Sequence, residues 1–550
     1  MRTTPRAWVR GACVLAALSA ALGLLAPGAA SAARAGLHRA ATLTQCPLAP
    51  DPAALPDAAK LREQTAFEAR LVPRPTGSAA QRKYIRWILR QLRSVPGAQI
   101  SEQHFTINRW SWRSTSLALR VGNSTTTVPV AAPVPYAQPT SGRGVSAPLV
   151  EIPDEQAITA ANASGRIVVR PAPAGSVPYA DFYLPAVSWL VYDPQNTIDQ
   201  KGTFYGDFIN YNARVADLRA AAAAGAKGIL FVKERPRAQL ANHYEPYEGT
   251  PWQVPAVFLG ADEGKTISAA LASHAPVSAR LVLRARFKQV DTPNVYATIQ
   301  GGSAQRIVID TKTDGTNPSE DNGPVMALAM IRYLAALPLA CRPRTVEFAF
   351  ATAHFFQRLA DPNHRYGGAG VIAKQLDAEY DQGLVSSVLV LEHPGAIDYE
   401  QFPRADGGPG VELKANGLRA IDFIGITPSP SLVAAVTEVV KNYGMERSIL
   451  LQGADAPGST VPSHCNFGGE ATPYNVHLLP TIGVISAPQS LYDPSFGIET
   501  IDFSVMHSEL LGFTELLNHL GTMSQTEVAG DVTVEREQRA KGGAPCPPEN

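Results

Sequence analysis

The chain has 550 residues, enough for two or three domains, and its composition is that of an ordinary globular protein. Lysine plus arginine and aspartate plus glutamate each total 48, so the formal net charge is zero. This balance gives no electrostatic reason to expect nucleic acid or a charged membrane surface as a partner.

Residues 1–32 have the pattern of a signal peptide. Three arginines within the first ten residues precede the apolar run Cys13–Ala26, and the small residues Ala30–Ala32 resemble a cleavage site. The run is too short to span a bilayer comfortably and no later stretch could span one, so a membrane anchor is the weaker interpretation. We therefore predict a secreted, extracellular protein without an integral membrane segment after cleavage, with residues 33–54 as a leader.

Four cysteines follow this segment, an even number that indicates two disulfides in an exported protein. Three connectivities are possible. We favour Cys46–Cys546, which would tie the two ends of the chain, together with Cys341–Cys465. Free buried thiols are the alternative, and the spacing is not that of a zinc site.

The first elements after the leader are two helices and two strands. Ala58–Arg70 is a predicted helix, and Ser78 caps a second helix whose apolar residues share one face. Ile100–Ile107 and Ser114–Val121 are predicted strands. Residues 130–144 are rich in proline, alanine, serine and glycine, and we place a domain boundary there.

The next segment alternates strands and helices, with an aromatic-rich stretch, Tyr179–Tyr211, near its middle. Aromatic residues in such a stretch either form a binding surface or fill a core, and we prefer core filling. The predicted strands are Ile167–Val169, Ile229–Val232, Val254–Leu259 and Val277–Arg286, and the predicted helices are Asn212–Ala224 and Lys265–Ser273.

Residues 294–356 organise the rest of the chain because apolar strands there alternate with a buried helix. This pattern predicts an α/β fold with a mixed, mostly parallel sheet sandwiched by helices. The predicted strands are Asn294–Ile299, Ile307–Ile309, Val346–Phe350, Val388–Leu391 and Ile482–Ile485, and the predicted helices are Val325–Leu337, Pro430–Tyr443 and His507–Leu520. The tail from residue 525 is predicted to be flexible.

Charged residues follow the ends of two central strands. Asp310, Lys312, Asp314 and Asp321 lie in the loop after one strand, and His354 follows the next. Ligands of open α/β sheets bind outside the carboxyl ends of the strands. We therefore expect a functional site at this edge.

Several short motifs, taken in this order, resemble one known family. Arg74–Ser78 resembles its Arg-x-x-Gly-Ser turn, Asp321–Gly323 resembles its Asp-Asn-x-x-Gly helix start, and Ala224–Leu230 with Val254–Val257 resemble a protease-associated domain. The family is the di-zinc exopeptidases of the bacterial leucyl aminopeptidase and glutamate carboxypeptidase type. The resemblance covers about residues 55 to 522 and implies a peptidase-like domain of residues 55–141 and 289–524. A smaller, β-rich α/β protease-associated domain would occupy residues 142–288, and residues 525–550 would be the tail.

The family's chemistry uses two zinc ions that share a bridging carboxylate, with a glutamate as general base. The family's His-x-Asp falls on Lys312–Asp314, so a lysine replaces a ligand histidine while Asp314 remains as the orienting acid. The bridging aspartate falls on Asp321. The Glu-Glu pair falls on His354 and Phe355, which leaves His354 as a doubtful base.

The remaining positions are also altered. The next ligand acid falls on Glu392, and the Ser-Asp-His-x-x-Phe segment resembles Pro462–Phe467, which keeps His464. No histidine lies near Leu491 or Tyr492, where the last ligand should be. A lysine ammonium has no lone pair for zinc and repels a dication.

The resemblance therefore implies a ligand pocket of Lys312, Asp321, Glu392 and His464 with no metal and no other cofactor. We predict a secreted, non-catalytic homologue that binds peptides or protein termini. One alternative is an active aminopeptidase or cyclase with a rebuilt single-zinc site. That site would use Asp321, His354, Glu392 and His464, with His393 beside them. Another is a structural or adhesive protein that makes contacts through its aromatic stretch.

Overall fold

A mixed sheet of 15 strands runs through the computed structural model, which describes residues 46–273, 275–356, 358–359, 367–453, 465–543 and 546. Two further pairs of strands, β6 with β8 and β15 with β16, lie outside it. The strands are β1 Gln99–Val121, β2 Ser124–Val128, β3 Ala132–Pro133, β4 Val145–Glu151, β5 Ile167–Pro171, β6 Gly175–Pro178, β7 Ser188–Tyr192, β8 Thr203–Gly206, β9 Gly228–Val232, β10 Ala256–Leu259, β11 Val277–Ile299, β12 Arg306–Lys312, β13 Thr345–Ala351, β14 Val385–Glu392, β15 Ile397–Pro403, β16 Val411–Arg419, β17 Asp422–Ile426, β18 Ser448–Leu451 and β19 Thr481–Ser486.

The predicted helix starts at Ala58, after Ser78, at Asn212 and at Pro430 agree with the structure to within one residue, whereas those at Lys265, Val325 and His507 are two to four residues late. The Ser78 hydroxyl accepts the main-chain N–H of Gln81 at 3.0 Å and caps α2. Proline stands in the first turn of α6, where its missing N–H costs nothing. The helices are α1 Ala58–Ala69, α2 Ala79–Arg93, α3 Ala160–Ala163, α4 Tyr211–Ala223, α5 Ala261–Ala272, α6 Gly323–Ala336, α7 Gly367–Tyr380, α8 Pro430–Asn442, α9 Ala471–Val476, α10 Phe503–Thr522, α11 Gln525–Ala529 and α12 Val532–Ala540.

Helices cover both faces of the central sheet. Neighbouring strands β13, β12, β14 and β19 are parallel, while β11 and β17 join them antiparallel. Leu389 and Leu391 of β14 pack on one face against α1, α2, α6, α8 and α10. Val388 and Val390 pack on the other face with α7, α9 and α12. The predicted α/β sheet sandwiched by helices is confirmed.

Strands β1 and β11 are longer than predicted, at 23 residues each. They pair antiparallel from Gln99 with Thr298 to Val121 with Val277, whereas the sequence pattern predicted two shorter strands in each place. Most residues between the predicted strands keep a partner in this ladder, but Arg113 lies at a register shift and has no partner in it. The predicted domain boundary between residues 288 and 289 therefore lies inside β11.

The pair β1–β11 joins two parts of the sheet. One half of β11 pairs with β4, which continues into β5, β9, β10 and β3. The other half pairs with β13 of the central strands. The assignment of residues 142–288 to a protease-associated domain stays a prediction.

The aromatic-rich stretch packs against the far edge of the central sheet. Its strand β7 pairs antiparallel with β18. The rings of Phe182 and Phe204 lie 5.2 and 5.3 Å from that of Phe423 in β17. These contacts match the core-filling interpretation, although Leu184 and Trp189 are exposed.

The predicted disulfide pairing is wrong. The disulfides join Cys46 to Cys341 and Cys465 to Cys546. The main-chain oxygen of Leu48 accepts a hydrogen bond from the Asn518 side chain in α10, so the start of the described chain lies along the helices of the main body. Sequence counting could not choose among the three connectivities, because the choice depends on this packing.

The tail differs from the flexible segment that the sequence predicted. Residues 525–540 form α11 and α12, and Ser524 with Glu527 forms a capping box at the start of α11. Arg536 of α12 pairs with Asp377 and Asp381, each at 2.8 Å. These contacts and the Cys465–Cys546 disulfide hold the tail against the body.

The predicted signal peptide and most of the leader lie outside the described residues. Among the helices that the structure does describe, none has the length and apolar character needed to cross a membrane. Secretion therefore remains an inference from the sequence pattern and the disulfides.

Candidate ligand site at the carboxyl edge of the sheet

Four central strands end at one edge of the sheet. β12 ends at Lys312, β14 at Glu392, and β13 and β19 end beside them. Because β12 pairs in parallel with both β13 and β14, their carboxyl ends meet. As predicted, charged side chains that are distant in sequence converge here.

The ammonium of Lys312 lies at the middle of this convergence. Its Nζ is 2.8 Å from Glu320 Oε1, 2.8 Å from Glu392 Oε2, 2.9 Å from His393 Nε2 and 3.0 Å from His354 Nε2. We call these five residues the Lys312 centre. The lysine side chain is 1% exposed. An ammonium has three hydrogens, so it cannot serve all four acceptors at once.

The local backbone aims the two imidazoles at the lysine. His393 directly follows β14 with a positive φ of 59°, and its Nδ1 donates to the main-chain oxygen of Ser486. Its Nε2 is then the acceptor that faces Lys312. The residue before His354, Ala353, also has a positive φ, of 66°. Both tight turns place a ring directly above the end of a strand.

The charges of the Lys312 centre support one another. Burial alone would lower the pKa of Lys312, but the carboxylates of Glu320 and Glu392 outweigh it and raise that pKa. Burial likewise opposes the ionised form of Glu392, yet Lys312 lowers the Glu392 pKa to about 2. Burial and then Lys312 lower the pKa of His354 to about 4 and that of His393 to about 3. At neutral pH a charged pair is flanked by neutral imidazoles.

Glu470 is a further buried acid beside the Lys312 centre. Its Oε1 lies 3.5 Å from His354 Nδ1, and its main-chain N–H donates to Glu392 Oε1 at 2.8 Å. Neither of its carboxylate oxygens has a hydrogen-bond partner among the described residues. Burial and then Glu392 raise its pKa well above 4.5. Ligand atoms of His354, Glu392 and Glu470 lie within 4.8 Å of one another, so these three could approach one cation.

Two predicted site residues lie outside the Lys312 centre. Asp321 pairs with the buried Arg74, which also bonds Glu68 at 2.9 Å. Asp314 accepts the main-chain N–H groups of His354 at 3.2 Å and Phe355 at 3.1 Å. Asp314 therefore holds the loop that carries His354.

Two acids of the site, Glu320 and Glu470, were not predicted from the sequence. One predicted residue, His464, is not among the described residues. Glu320 directly precedes Asp321, and it is Glu320 that contacts the Lys312 ammonium while Asp321 pairs with Arg74. Glu470 follows two glycines at the start of α9 and carries no motif. His464, a predicted pocket residue, lies outside the described residues.

An aromatic wall stands beside His354. The ring of Phe355 lies 5.4 Å from that of His354, 5.8 Å from Tyr244 and 6.0 Å from Tyr492. The Tyr244 main-chain N–H donates to the main-chain oxygen of Tyr492 at 2.9 Å, which joins these two residues of the wall. His354, 17% exposed, is the most accessible member of the Lys312 centre. Phe355, on which one acid of the family's Glu-Glu pair falls, is thus part of a wall of Tyr244, Phe355 and Tyr492.

A second buried lysine lies in another charged cluster. Lys233 Nζ is 2.8 Å from Asp207 Oδ1 and 3.0 Å from Glu245 Oε1. The Lys233 cluster comprises Asp207, Arg214, Lys233, Arg235, His243, Glu245 and Asp493, all buried.

His243 is positively charged in the Lys233 cluster. Its Nδ1 lies 2.6 Å from Asp493 Oδ1 and its Nε2 lies 2.9 Å from Glu245 Oε1. Carboxylates only accept, so both ring nitrogens must donate. Burial opposes this form, but Asp493 outweighs it and raises the His243 pKa.

Comparison with solved structures finds the same fold in three bacterial proteins. The aminopeptidase from Aneurinibacillus sp. strain AM-1 matches over 84% of this chain and 93% of its own, with 16% identity and a TM-score of 0.53. BSAP, a zinc aminopeptidase from Bacillus subtilis, matches over 87% and 99%, with 15% identity and a TM-score of 0.54. A peptidase M28 precursor from Shewanella amazonensis SB2B matches over 85% and 97%, with 15% identity and a TM-score of 0.56.

No protein-family model and no curated protein matches the chain. At identities this low the structural likeness speaks for the fold alone. Together with the sheet topology, it shows that the chain has a zinc-aminopeptidase-like fold.

Proposed function

We propose that this chain is a secreted protein that binds peptides or protein termini without hydrolysing them. The observation that carries the proposal is the position of the Lys312 ammonium, within 3.0 Å of two carboxylates and two imidazoles. Those groups are the kind that would hold a metal in an enzyme of this fold.

A pair of zinc ions does not fit these residues. Zinc needs lone pairs, and the acceptor atoms of His354, Glu392 and His393 face the Lys312 ammonium instead. The ammonium offers no lone pair, and it would repel a dication at this distance.

The two positions that the resemblance gave to the Glu-Glu pair, His354 and Phe355, supply no general base. Such a base must have a free acceptor within reach of water. The Nε2 of His354 faces Lys312, and the buried ring of Phe355 stands where an acid was expected. Amide hydrolysis is therefore not expected.

Binding of a peptide amino terminus is supported by Glu470 and the aromatic wall. Glu470 is a buried acid whose oxygens have no hydrogen-bond partner among the described residues, and it lies next to the partly exposed His354. A peptide ammonium would supply the missing charge, and the half-buried ring of Tyr492, which packs against Phe355, would contact an apolar side chain. The proteins of like fold are aminopeptidases by name, which supports peptides as the ligand class.

Secretion is supported by two features. The sequence pattern of residues 1–32 is that of a signal peptide. The disulfides Cys46–Cys341 and Cys465–Cys546 form and persist in oxidising compartments.

The second candidate function is an aminopeptidase or cyclase with a single zinc ion. It is favoured by the closeness of His354, Glu392 and Glu470, whose ligand atoms lie within 4.8 Å of one another. We place it second because His354 and Glu392 already contact the Lys312 ammonium. Asp321, which the sequence offered as a ligand, pairs with Arg74 instead.

Activity and binding assays on the secreted chain test the proposal. We expect no turnover of aminoacyl anilides or amino-terminal glutaminyl peptides, with or without added zinc or cobalt.

Calorimetry should detect binding of peptides with a free amino terminus and no binding of their acetylated forms. Glu470→Gln should weaken binding about tenfold, since it removes a charge-assisted contact. Glu263→Gln, which alters a buried acid of α5, is the control that should not. Metal-dependent turnover by the unaltered chain would contradict the proposal.

A further inference from the structure

We infer that the Lys312 ammonium occupies the position that a single metal ion would take. A variant in which this ammonium is removed by substitution would then bind one zinc ion there. The site would consist of Glu320, His354, Glu392 and His393. This inference deepens the proposed function and rests on it, because both depend on the same lysine.

The first support is the set of atoms around Nζ. Two imidazole nitrogens and two carboxylate oxygens lie between 2.8 and 3.0 Å from one point. Two nitrogens and two oxygens are a ligand set that suits zinc in number and type. Zinc bonds of about 2.0–2.2 Å would need each group to move inward by about 1 Å.

The second support is that outer contacts orient three of the four groups independently of Lys312. Nδ1 of His393 donates to the main-chain oxygen of Ser486. The second oxygen of Glu320 accepts the Thr316 N–H at 3.0 Å. The second oxygen of Glu392 accepts the Glu470 N–H at 2.8 Å. Partners of this kind fix the ligands in metal sites, so these groups should stay aimed at the same point after the lysine is shortened.

The third support is the charge around the Lys312 centre. Glu320, Glu392 and Glu470 are three buried acids, and Lys312 is the one cation that contacts any of them among the described residues. Without the ammonium, Glu320 and Glu392 would be buried with no cation, and one dication would balance these two acids. A dication is therefore favoured wherever the ammonium does not exclude it.

The Lys233 cluster offers a matched control. Lys233 is equally buried and also contacts two carboxylates. Arg235 remains paired with Asp207 and Arg214 with Glu245 after Lys233 is removed. Both nitrogens of His243 already donate, so this cluster has no free imidazole lone pair. Lys233→Ala should therefore create no zinc-binding site.

The test compares the full chain with Lys312→Ala, Lys312→His and Lys233→Ala. Each protein is incubated with zinc chloride, dialysed, and measured for zinc per chain and for its thermal midpoint with and without zinc. We expect Lys312→Ala to hold about one zinc per chain and to gain thermal stability with zinc. The unaltered chain and Lys233→Ala should hold none. Cobalt in the Lys312→Ala variant should give the visible absorption of a four-coordinate site.

Lys312→His keeps the inference testable if the alanine variant does not fold, because it adds an imidazole at the same strand end. Zinc-dependent folding of either variant supports the inference. Failure of both to take up zinc overturns it, as does equal uptake by Lys233→Ala. Two zinc ions or peptide turnover in the unaltered chain would instead overturn the proposed function, so the two failures are distinguishable.

Discussion

The two buried lysines differ in how their surroundings balance charge. In the Lys233 cluster, Lys233, two arginines and the imidazolium of His243 face three carboxylates. In the Lys312 centre, one ammonium faces Glu320 and Glu392, and the oxygens of the neighbouring Glu470 have no hydrogen-bond partner within the described part of the chain. A cluster whose charged side chains are all paired can be explained by stability alone. A surplus of buried acid instead indicates a site that binds a cation.

The largest expected difference is between the two lysine-to-methionine variants. Lys312→Met should lower the free energy of unfolding by about 3–5 kcal/mol at pH 7, because it leaves Glu320 and Glu392 buried without their cation. Lys233→Met should cost about 1–2 kcal/mol, because each of its carboxylates keeps an arginine. Urea unfolding measures both values. Equal losses of unfolding free energy would show that the two lysines do not differ in how their carboxylates are paired.

Glutamate-to-glutamine changes should have opposite signs in the two regions. Glu245→Gln should destabilise the fold by about 3 kcal/mol, because Glu245 pairs with Arg214, Lys233 and His243. Glu470→Gln should stabilise the unliganded protein by about 1 kcal/mol, because it removes a buried acid whose oxygens lack a hydrogen-bond partner among the residues that the structure describes. A destabilising Glu470→Gln would mean that the carboxylate has a partner after all.

The pH dependence of these variants sharpens the comparison. The pKa of Glu245 lies well below 4.5, so its stabilisation is present above pH 4.5 and is lost as the pH falls through the lowered value. The pKa of Glu470 lies well above 4.5, so the unaltered chain loses stability relative to Glu470→Gln as the pH rises above 4.5. Unfolding at pH 4 and pH 8 should therefore show a larger advantage of Glu470→Gln at pH 8. An advantage independent of pH would contradict the raised pKa.

The smallest expected effect concerns His243. Its raised pKa means that its stabilisation is complete below pH 6.5 and is lost as the pH rises through the raised value. The unaltered chain should lose about 1 kcal/mol more than His243→Asn between pH 7 and pH 10. Unfolding series across this range measure the difference. A difference that grows toward acid pH would show that the imidazole is neutral.

The central part of the fold could be predicted from sequence because its residues follow a simple period. Val388–Leu391 and Ile482–Ile485 lie inside β14 and β19, and Pro430–Tyr443 matches α8 to within one residue. The convergence of Lys312, His354 and Glu392 followed from the rule that parallel strands present their carboxyl ends together.

Other features depend on contacts that no local pattern contains. Glu320 and Asp321 are adjacent acids, and only packing against Arg74 shows which one faces away from Lys312. Glu470 reaches the site from the N-cap of α9 and is 78 residues from Glu392 in sequence. The disulfides depended on where the ends of the chain pack.

The long pair β1–β11 has a consequence for how the chain is made. Its ladder joins Val121 to Val277, so β1, which pairs with β2 only over Leu117–Val121, cannot form this ladder until everything between has left the ribosome. Until then β1 presents an open edge of main-chain donors and acceptors, which invites pairing with other chains. Ladders closed over such a separation also form slowly. Productive folding of this protein should therefore depend on keeping that edge covered while the chain is synthesised.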